Sequence, residues 1–156
     1  MTSFKPTKSI YQLIKRLLTE STSPALSKLR KITAGSAAFG LQPISASAVI
    51  AGGLRGGNAL GLTTVNQTWF HMDVAWLFAK DDANALRVSQ SIIDDIEYAT
   101  KAQDSYLPYI FMNDANEKQD VIAHYGQANA RKLKAVQAKY DPKCVFQRLV
   151  PGGFKI

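Results

Sequence analysis

The chain has 156 residues, a length that suits one domain with its own hydrophobic core. Hydrophobic residues make up 46% of it and charged residues 20%, as in ordinary globular proteins, and no apolar run approaches the roughly 20 residues of a membrane helix. The single cysteine, Cys144, excludes an internal disulfide framework, and the polar, basic N-terminus lacks a signal-peptide core. We therefore expect a cytoplasmic protein without membrane contacts.

The net charge of +7 is unevenly distributed. Basic side chains concentrate in residues 1–31 and 131–155, and acidic ones in residues 81–104. A basic balance permits nucleic-acid binding. These lysines and arginines, however, fall on the polar faces of predicted helices, and no RNA-binding or zinc-finger signature accompanies them. We expect a solvated surface and no nucleic-acid partner, with an anionic partner as the open alternative.

Residues 1–31 are predicted to form a helical N-terminal segment of a single domain, 1–156. A second short helix is predicted to begin with Ser23 as N-cap and Pro24 as first helical residue. Residues 32–51 predict extended structure interrupted at Gln42-Pro43, and residues 52–58 a loop. The first helix follows from apolar side chains at helical spacing, which are Ile10, Leu13, Ile14, Leu17 and Leu18.

Residues 68–79 form the clearest predicted strand, because its two faces differ in character. One face is wholly apolar and should pack on helices. The other is mixed and should line something more polar. The apolar face holds Phe70, Met72, Val74, Trp76 and Phe78, and the mixed face Trp69, His71, Asp73, Ala75 and Leu77.

The remaining elements alternate. Asp81-Asp82 opens a helix that extends to Gln103, residues 107–113 predict a strand, and residues 120–139 a helix that Asp141-Pro142 ends. The tail, residues 145–156, is predicted to be irregular. This alternation predicts an α+β fold, a small antiparallel or mixed sheet with helices packed on one face.

Several blocks follow one another at characteristic spacing. The early ones are Leu41-Gln-Pro-Ile-Ser45, Arg55-Gly-Gly-Asn-Ala-Leu-Gly61, and Trp76 before Asp81-Asp82; the later ones are Pro108-Tyr-Ile-Phe-Met-Asn-Asp-Ala-Asn116, His124-Tyr-Gly126, Lys139-Tyr-Asp-Pro142, Val145-Phe-Gln147 and Pro151-Gly-Gly-Phe-Lys-Ile156. Over about residues 30–156 they resemble the C-terminal, substrate-domain part of the berberine-bridge-enzyme-like, FAD-linked oxidoreductases of fungal secondary metabolism. The resemblance implies that residues 32–156 form a sheet backed by helices, whose open face is the roof over a flavin in such enzymes.

The resemblance also bears on the cofactor. Family members attach and bind FAD mainly through an N-terminal domain that this sequence does not contain, so we expect no tightly bound cofactor. The plant-type pattern Tyr-x-Asn-Tyr-x-Asp reads Phe111-Met-Asn-Asp-Ala-Asn116 here. Asn113 is therefore the implied flavin contact if a flavin binds, while the position of a tyrosine base in some relatives is Asp114. The alternative is that Asn113 and Asp114 merely end a strand.

His71 and Asp73 are the candidate catalytic residues. At positions i and i+2 they share one strand face, and the corresponding strand of the relatives faces the catalytic cavity. Imidazole changes charge near neutral pH, and a neighbouring carboxylate stabilises its charged form. That pairing suits proton transfer to or from an enol or phenol. The alternative is a strand face turned to solvent or to a dimer interface.

The candidate substrate-binding residues are Arg55, Trp69, Tyr109, Phe111 and Asn113. Arg55 lies in a glycine-rich stretch that lacks the Walker pattern and the strand–turn–helix context of a nucleotide site, so a loop is the better interpretation. Tyr109 and Phe111 could form an aromatic wall or simply belong to the core. Two distant histidines and one cysteine do not form a zinc site, and no metal is expected.

These features lead to one hypothesis and two alternatives. The first is a stand-alone, flavin-free derivative of the substrate domain that binds a small hydrophobic secondary metabolite. It would act as a cofactor-independent cyclase or isomerase, or as a dehydratase, and its uncovered sheet face would form a homodimer. The second is half of an FAD-dependent oxidoreductase that needs a separate flavin-domain partner. The third is a non-catalytic accessory protein that binds a small molecule.

Overall fold

A computed structural model, which describes residues 1–156, shows a four-stranded antiparallel sheet with helices on one face. The strands are β1 (Thr2–Phe4), β2 (Ser36–Ile44), β3 (Gln67–Ala75) and β4 (Tyr106–Leu107). Their spatial order is β2-β3-β1-β4, and every neighbouring pair is antiparallel. The predicted α+β class is confirmed.

Seven helices connect and flank these strands. They are α1 (Lys8–Thr19), α2 (Pro24–Leu29), α3 (Ala46–Leu54), α4 (Asp82–Ala102), α5 (Val121–His124), α6 (Gln127–Tyr140) and α7 (Val145–Arg148). Short 3₁₀ turns occur at Ala79–Asp81 and Met112–Asp114. No helix has both the length and the apolar character that crossing a membrane requires.

Helices α1, α2 and α4 pack on one face of the sheet and enclose the main core. The predicted stripe of α1 is confirmed, since Ile10 and Ile14 are buried against Phe4 and Phe70. The hydroxyl of Ser23 accepts a hydrogen bond from the Leu26 amide, which confirms the predicted start of α2. The core of this layer is completed by Val88, Ile92, Ile93 and Ile96 of α4.

A second, smaller core lies on the opposite face and covers only one end of the sheet. It contains Met1, Trp69, Tyr109, Ile110, Val121 and Tyr125. The alternation predicted for β3 is therefore confirmed, because Phe70 and Met72 contact the helical layer while Trp69 belongs to the other face. Beyond this cluster, the face that carries His71 and Asp73 has no helix over it, so it is the open part of the sheet.

Several predicted boundaries were wrong. Strand β3 ends at Ala75 and does not reach residue 79. Strand β2 runs through Gln42-Pro43 without interruption, because it is an edge strand, where a missing proline N–H need not cost a ladder hydrogen bond. Residues 46–54 form a helix where extended structure and the start of a loop were predicted. That helix begins where the Ser45 hydroxyl accepts from the Ala48 amide.

The other differences concern both ends of the chain. The predicted helical segment 1–31 contains α1 and α2 but begins with strand β1. Of the predicted strand 107–113 only Leu107 pairs with β1, together with Tyr106 before it, and the chain then turns through Met112–Asp114. The predicted helix 120–139 is divided into α5 and α6 at Gly126, whose φ of +85° favours glycine. Within the tail that was predicted to be irregular, α7 forms.

Candidate functional site

The imidazole of His71 lies on the open sheet face, directly over the backbone of the neighbouring strand. His71 on β3 pairs with Gly40 on β2. A Cβ placed on Gly40 would collide with ring atoms Cε1 and Nε2 of His71. The missing side chain at position 40 therefore creates the space that the imidazole occupies, and the ring is left 19% exposed.

Two carboxylates flank this imidazole. Nε2 of His71 lies 3.7 Å from Oδ2 of Asp73, and Nδ1 lies 3.3 Å from Oδ2 of Asp114. The Asp73 side chain is 75% exposed and the Asp114 side chain only 16%. The structure thus brings together the predicted pair and adds Asp114, which the sequence analysis considered as the replacement of a tyrosine or as the end of a strand.

Gln42 fixes the orientation of this group. Its Nε2 donates to Oδ2 of Asp114 over 2.9 Å and lies 3.4 Å from Nδ1 of His71. Gln42 was missed by the sequence analysis. The signal for it lay in the strand alternation: Gln42 lies two residues after Gly40 on β2, so its side chain points to the face on which the His71 ring lies.

The arrangement is suited to acid–base chemistry. When neutral imidazole takes up a proton, a positive charge forms between the two carboxylates, and Coulomb attraction stabilises it most strongly where water is least accessible. Asp114 is the less exposed of the two acids, and the hydrogen bond from Gln42 holds it beside the imidazole. Nε2 lies on the side of the more exposed acid, Asp73.

Small side chains surround the histidine on the same face. Cross-strand pairing places Ala38 opposite Asp73 and Ser36 opposite Ala75. Both side chains are small, so no bulky group of β2 stands beside Asp73 on this face.

The predicted aromatic residues form part of the second core, which favours the core alternative over a substrate wall. The Trp69 ring lies 4.7 Å from that of Tyr109 and 5.0 Å from that of Phe111 between centroids. Trp69 and Tyr109 are buried, and Phe111 is partly buried. Burial raises the pKa of Tyr109 above its ordinary value, and its hydroxyl has no hydrogen-bond partner.

Asn113 and Arg55 lie apart from one another in the fold. Asn113 is exposed in the 3₁₀ turn and lines a cleft of about 510 Å³ together with Asp73 and Asp114. Arg55 follows the C-terminus of α3 and is exposed. Beside it, a second cleft of about 440 Å³ lies between α3, the glycine-rich segment and Trp69. Arg55 therefore does not belong to the His71 site.

The described residues do not fit a complete FAD. The glycine-rich segment follows the C-terminus of α3, where the helix dipole is negative and repels a pyrophosphate. The side chain of Asn113 is available for one contact to a flavin, but the carboxylates of Asp73 and Asp114 line the same cleft. No set of three His, Cys, Asp or Glu side chains has the arrangement of a metal site.

Comparison with known proteins reveals fungal relatives. The chain is 39% identical over 129 residues to the bifunctional solanapyrone synthase of Alternaria solani, which covers 83% of the chain and 25% of that enzyme. It is 41% identical over 113 residues to an FAD-dependent monooxygenase of Arthrobotrys oligospora, covering 72% of the chain and 22% of the relative. An FAD-dependent monooxygenase of Fusarium proliferatum matches 99% of the chain at 32% identity, over 30% of its own length.

The chain spans about a quarter of the length of these relatives. No protein-family profile matches it, and no solved structure is significantly similar. The matches support a relationship to the FAD-linked oxidoreductases in general. Residues 1–156 therefore correspond to part of an FAD-linked oxidoreductase.

Proposed function

We propose that the open sheet face binds a small hydrophobic secondary metabolite, and that His71 transfers a proton to or from it in a non-redox step. The reaction class is a cyclisation, an isomerisation or a dehydration, carried out by a flavin-free derivative of a berberine-bridge-like substrate domain. One observation carries the proposal: the His71 imidazole is held over Gly40, between the carboxylates of Asp73 and Asp114.

The two sides of the imidazole have different roles in this proposal. On the Nδ1 side, half-buried Asp114 and its donor Gln42 hold the ring in place. On the Nε2 side, the ring removes a proton from an enol or phenol of the substrate, and Asp73 stabilises the resulting imidazolium. Return of the same proton to another atom of the substrate completes an isomerisation without any change in oxidation state.

The substrate class follows from the surface beside the histidine. Ser36 and Ala38, which lie on the same face of β2, have no bulky or charged side chain, so this surface suits a flat, apolar molecule with one acidic hydrogen. One relative is named as a synthase of solanapyrone, which supports a role in secondary metabolism.

The test is deuterium exchange. The protein is incubated in D2O with a panel of phenolic and enolisable aromatic compounds, and incorporation of deuterium at carbon is followed by mass spectrometry. We expect exchange above the buffer rate for at least one compound, and a loss of at least about 100-fold in His71→Ala, since positioned acid–base groups contribute factors of that order. His124→Ala is the matched control, because the chain has only two histidines.

The outcome is interpreted together with a fold check. If His71→Ala keeps its circular dichroism spectrum and unfolding temperature but loses exchange, the assignment stands. Full exchange in His71→Ala would contradict it. Ligand binding that survives in this variant, with no exchange in either protein, would instead favour the non-catalytic accessory function.

A second candidate is half of an FAD-dependent oxidoreductase of berberine-bridge type that works with a separate flavin-domain partner. Two observations favour it: the chain corresponds to about a quarter of its relatives, and helix α3 exposes apolar side chains such as Leu54, which is 84% exposed. The visible spectrum separates the candidates. Flavin absorption that survives gel filtration after addition of FAD, or co-purification with a flavoprotein, favours this second candidate. An unchanged, colourless protein favours the first.

A further inference from the structure

The two ring nitrogens of His71 have different charged neighbours. Nδ1 lies 3.3 Å from Oδ2 of Asp114, a side chain that is only 16% exposed. Nε2 lies 3.7 Å from Oδ2 of Asp73, which is 75% exposed. Neutral imidazole carries one proton, which can reside on either nitrogen, and the partners of the two nitrogens decide between them. These contacts therefore determine the position of that proton.

The Asp114 carboxylate favours a proton on Nδ1. A protonated Nδ1 turns the positive end of an N–H bond towards the carboxylate, whereas an unprotonated Nδ1 turns its lone pair towards a negative charge. This interaction is stronger at Asp114 than at Asp73, because the distance is shorter and less water screens it. Gln42 keeps the carboxylate in place, since its Nε2 donates to the same Oδ2 over 2.9 Å.

Gln42 acts in the opposite sense on the ring itself. Its amide nitrogen also lies 3.4 Å from Nδ1 of His71, and an amide NH2 group can only donate. A hydrogen donated to Nδ1 requires the lone pair there, so it would place the ring proton on Nε2. This contact is long for a hydrogen bond and its donor is uncharged, while the group on Asp114 is ionised. The carboxylate therefore outweighs the amide.

We propose that Asp114 is a positioning residue that holds the neutral His71 ring with its proton on Nδ1 and its lone pair on Nε2. Nε2 is then the atom that takes a proton from the substrate and later gives it back, and the Nδ1 proton stays beside Asp114 throughout. Because one nitrogen both removes and returns the proton, the proton leaves and re-enters the substrate on the same face. This role in catalysis rests on the proposed proton transfer at His71, whereas the position of the ring proton does not.

Nitrogen-15 NMR of the histidine rings tests the proposal without a substrate, because protonated and unprotonated ring nitrogens differ widely in chemical shift. The spectrum is recorded at a pH where added base no longer moves the ring signals, so that both histidines are neutral. We expect His71 to show a protonated Nδ1 and an unprotonated Nε2. His124 is an internal reference for this pattern, since its Nδ1 lies 2.6 Å from the backbone oxygen of Asp120, which can only accept.

Asp114→Ala should move the ring proton of His71 towards Nε2 and leave the pattern of the other histidine unchanged. Without the carboxylate, the amide of Gln42 remains as a donor beside Nδ1 and Asp73 remains as an acceptor beside Nε2. Deuterium exchange on an active compound should fall at least about 100-fold in this variant. Asp73→Asn is the matched control for the NMR experiment, because it removes the same charge from the other side of the ring and should keep the proton on Nδ1.

Two results would overturn the proposal. The first is a neutral wild-type His71 with its proton on Nε2. The second is an Asp114→Ala protein that keeps its circular dichroism spectrum and shows the wild-type shifts at His71. If this variant does not fold, the wild-type spectrum alone decides.

The result is separable from that of the proposed reaction. A His71 ring protonated on Nδ1, in a protein that exchanges no compound, would sustain the assignment of Asp114 and contradict the proton transfer. Exchange that depends on His71, in a protein whose neutral ring is protonated on Nε2, would sustain the proton transfer and contradict the assignment of Asp114.

Discussion

The His71 ring and the Gly40 backbone occupy adjacent positions on neighbouring strands, so closely that a single methyl group at position 40 would overlap the ring. The geometry of the candidate site therefore depends on a residue without a side chain. Because Gly40 has an ordinary extended backbone, its requirement is one of space and has nothing to do with conformational freedom.

Gly40→Ala should displace the imidazole from its position between Asp73 and Asp114. The variant keeps all ionisable groups, so any change in the histidine arises from its position. We expect the His71 ring signals in an NMR spectrum to shift while those of His124 stay in place, and deuterium exchange on an active compound to fall at least about tenfold.

Gly53→Ala is the matched control for this substitution. A Cβ at Gly53 meets no atom within 4 Å, and the residue lies in the last turn of α3. Replacing helical glycine by alanine should leave the His71 signals unchanged and stabilise the protein by up to about 1 kcal/mol. Unchanged His71 signals in Gly40→Ala as well would show that the ring is not held over β2.

Asp141 is predicted to have a structural role. Its two carboxylate oxygens accept hydrogen bonds from the amides of Val145 and Phe146, at 2.7 Å and 3.0 Å. The aspartate of the Lys139-Tyr-Asp-Pro142 block thus satisfies the free amides at the start of α7. Asp141→Ala should lower the free energy of unfolding by about 1–2 kcal/mol, measured by urea denaturation.

Asp95→Ala serves as the control for Asp141, because it removes an exposed carboxylate from α4. It should change the free energy of unfolding by less than about 0.5 kcal/mol. Asp141→Asn keeps one acceptor oxygen, so its free energy of unfolding should lie between those of Asp141→Ala and Asp95→Ala. If Asp141→Ala is as stable as the wild type, α7 does not contribute to the cooperative fold.

The parts of the fold that the sequence predicted are those with a local signal. The stripe that contains Ile10 and Ile14 repeats at helical spacing, and the two faces of β3 differ in polarity at every second residue. Ser23-Pro24 carries its own start signal. Such patterns need no knowledge of the rest of the molecule, and they gave the correct class of fold and the shared face of His71 and Asp73.

The missed features depend on contacts between distant residues. Strand β1 has three residues, too few to show a period, and exists because it pairs with Phe70 and Leu107. The contact of Gln42 with Asp114 spans 72 positions of the chain and requires the 3₁₀ turn to fold over β2. Helix α3 was missed because its glycines and β-branched residues have low helix propensity, although Ser45 carries an N-cap signal.

Helix α3 is the surface at which we predict that a substitution weakens self-association or docking. It has no buried residue, although most of its side chains are apolar. Ile50→Glu should leave the free energy of unfolding within about 0.5 kcal/mol of the wild type, because Ile50 is half exposed. If the predicted homodimer uses this helix, light scattering at increasing protein concentration should show less dimer in the variant.

Ser47→Glu is the control on the same helix, since it adds an equal charge at an exposed polar position. A dimer that persists unchanged in Ile50→Glu would exclude α3 from the interface. A large loss of stability in Ile50→Glu would show instead that the helix is more deeply packed than its exposure indicates.

The final prediction concerns Tyr109 and alkaline pH. Burial raises the pKa of Tyr109, so the folded protein keeps the phenol proton at a pH where the unfolded chain, with an ordinary pKa near 10, has lost it. The contribution of this tyrosine to stability is therefore full below about pH 10 and falls as the pH rises above that value. Tyr109→Phe should remove this part of the alkaline loss of stability.

Urea denaturation of Tyr109→Phe at about pH 8 and about pH 11 tests this directly. At the lower pH the variant should be within about 1 kcal/mol of the wild type, because the phenol oxygen has no hydrogen-bond partner to lose. At the higher pH it should be the more stable protein. Part of the alkaline dependence should remain, since burial also raises the pKa of Tyr125.

Tyr98→Phe, at a position 79% exposed, should follow the wild type at both pH values, and the same behaviour in Tyr109→Phe would contradict the burial of the Tyr109 hydroxyl.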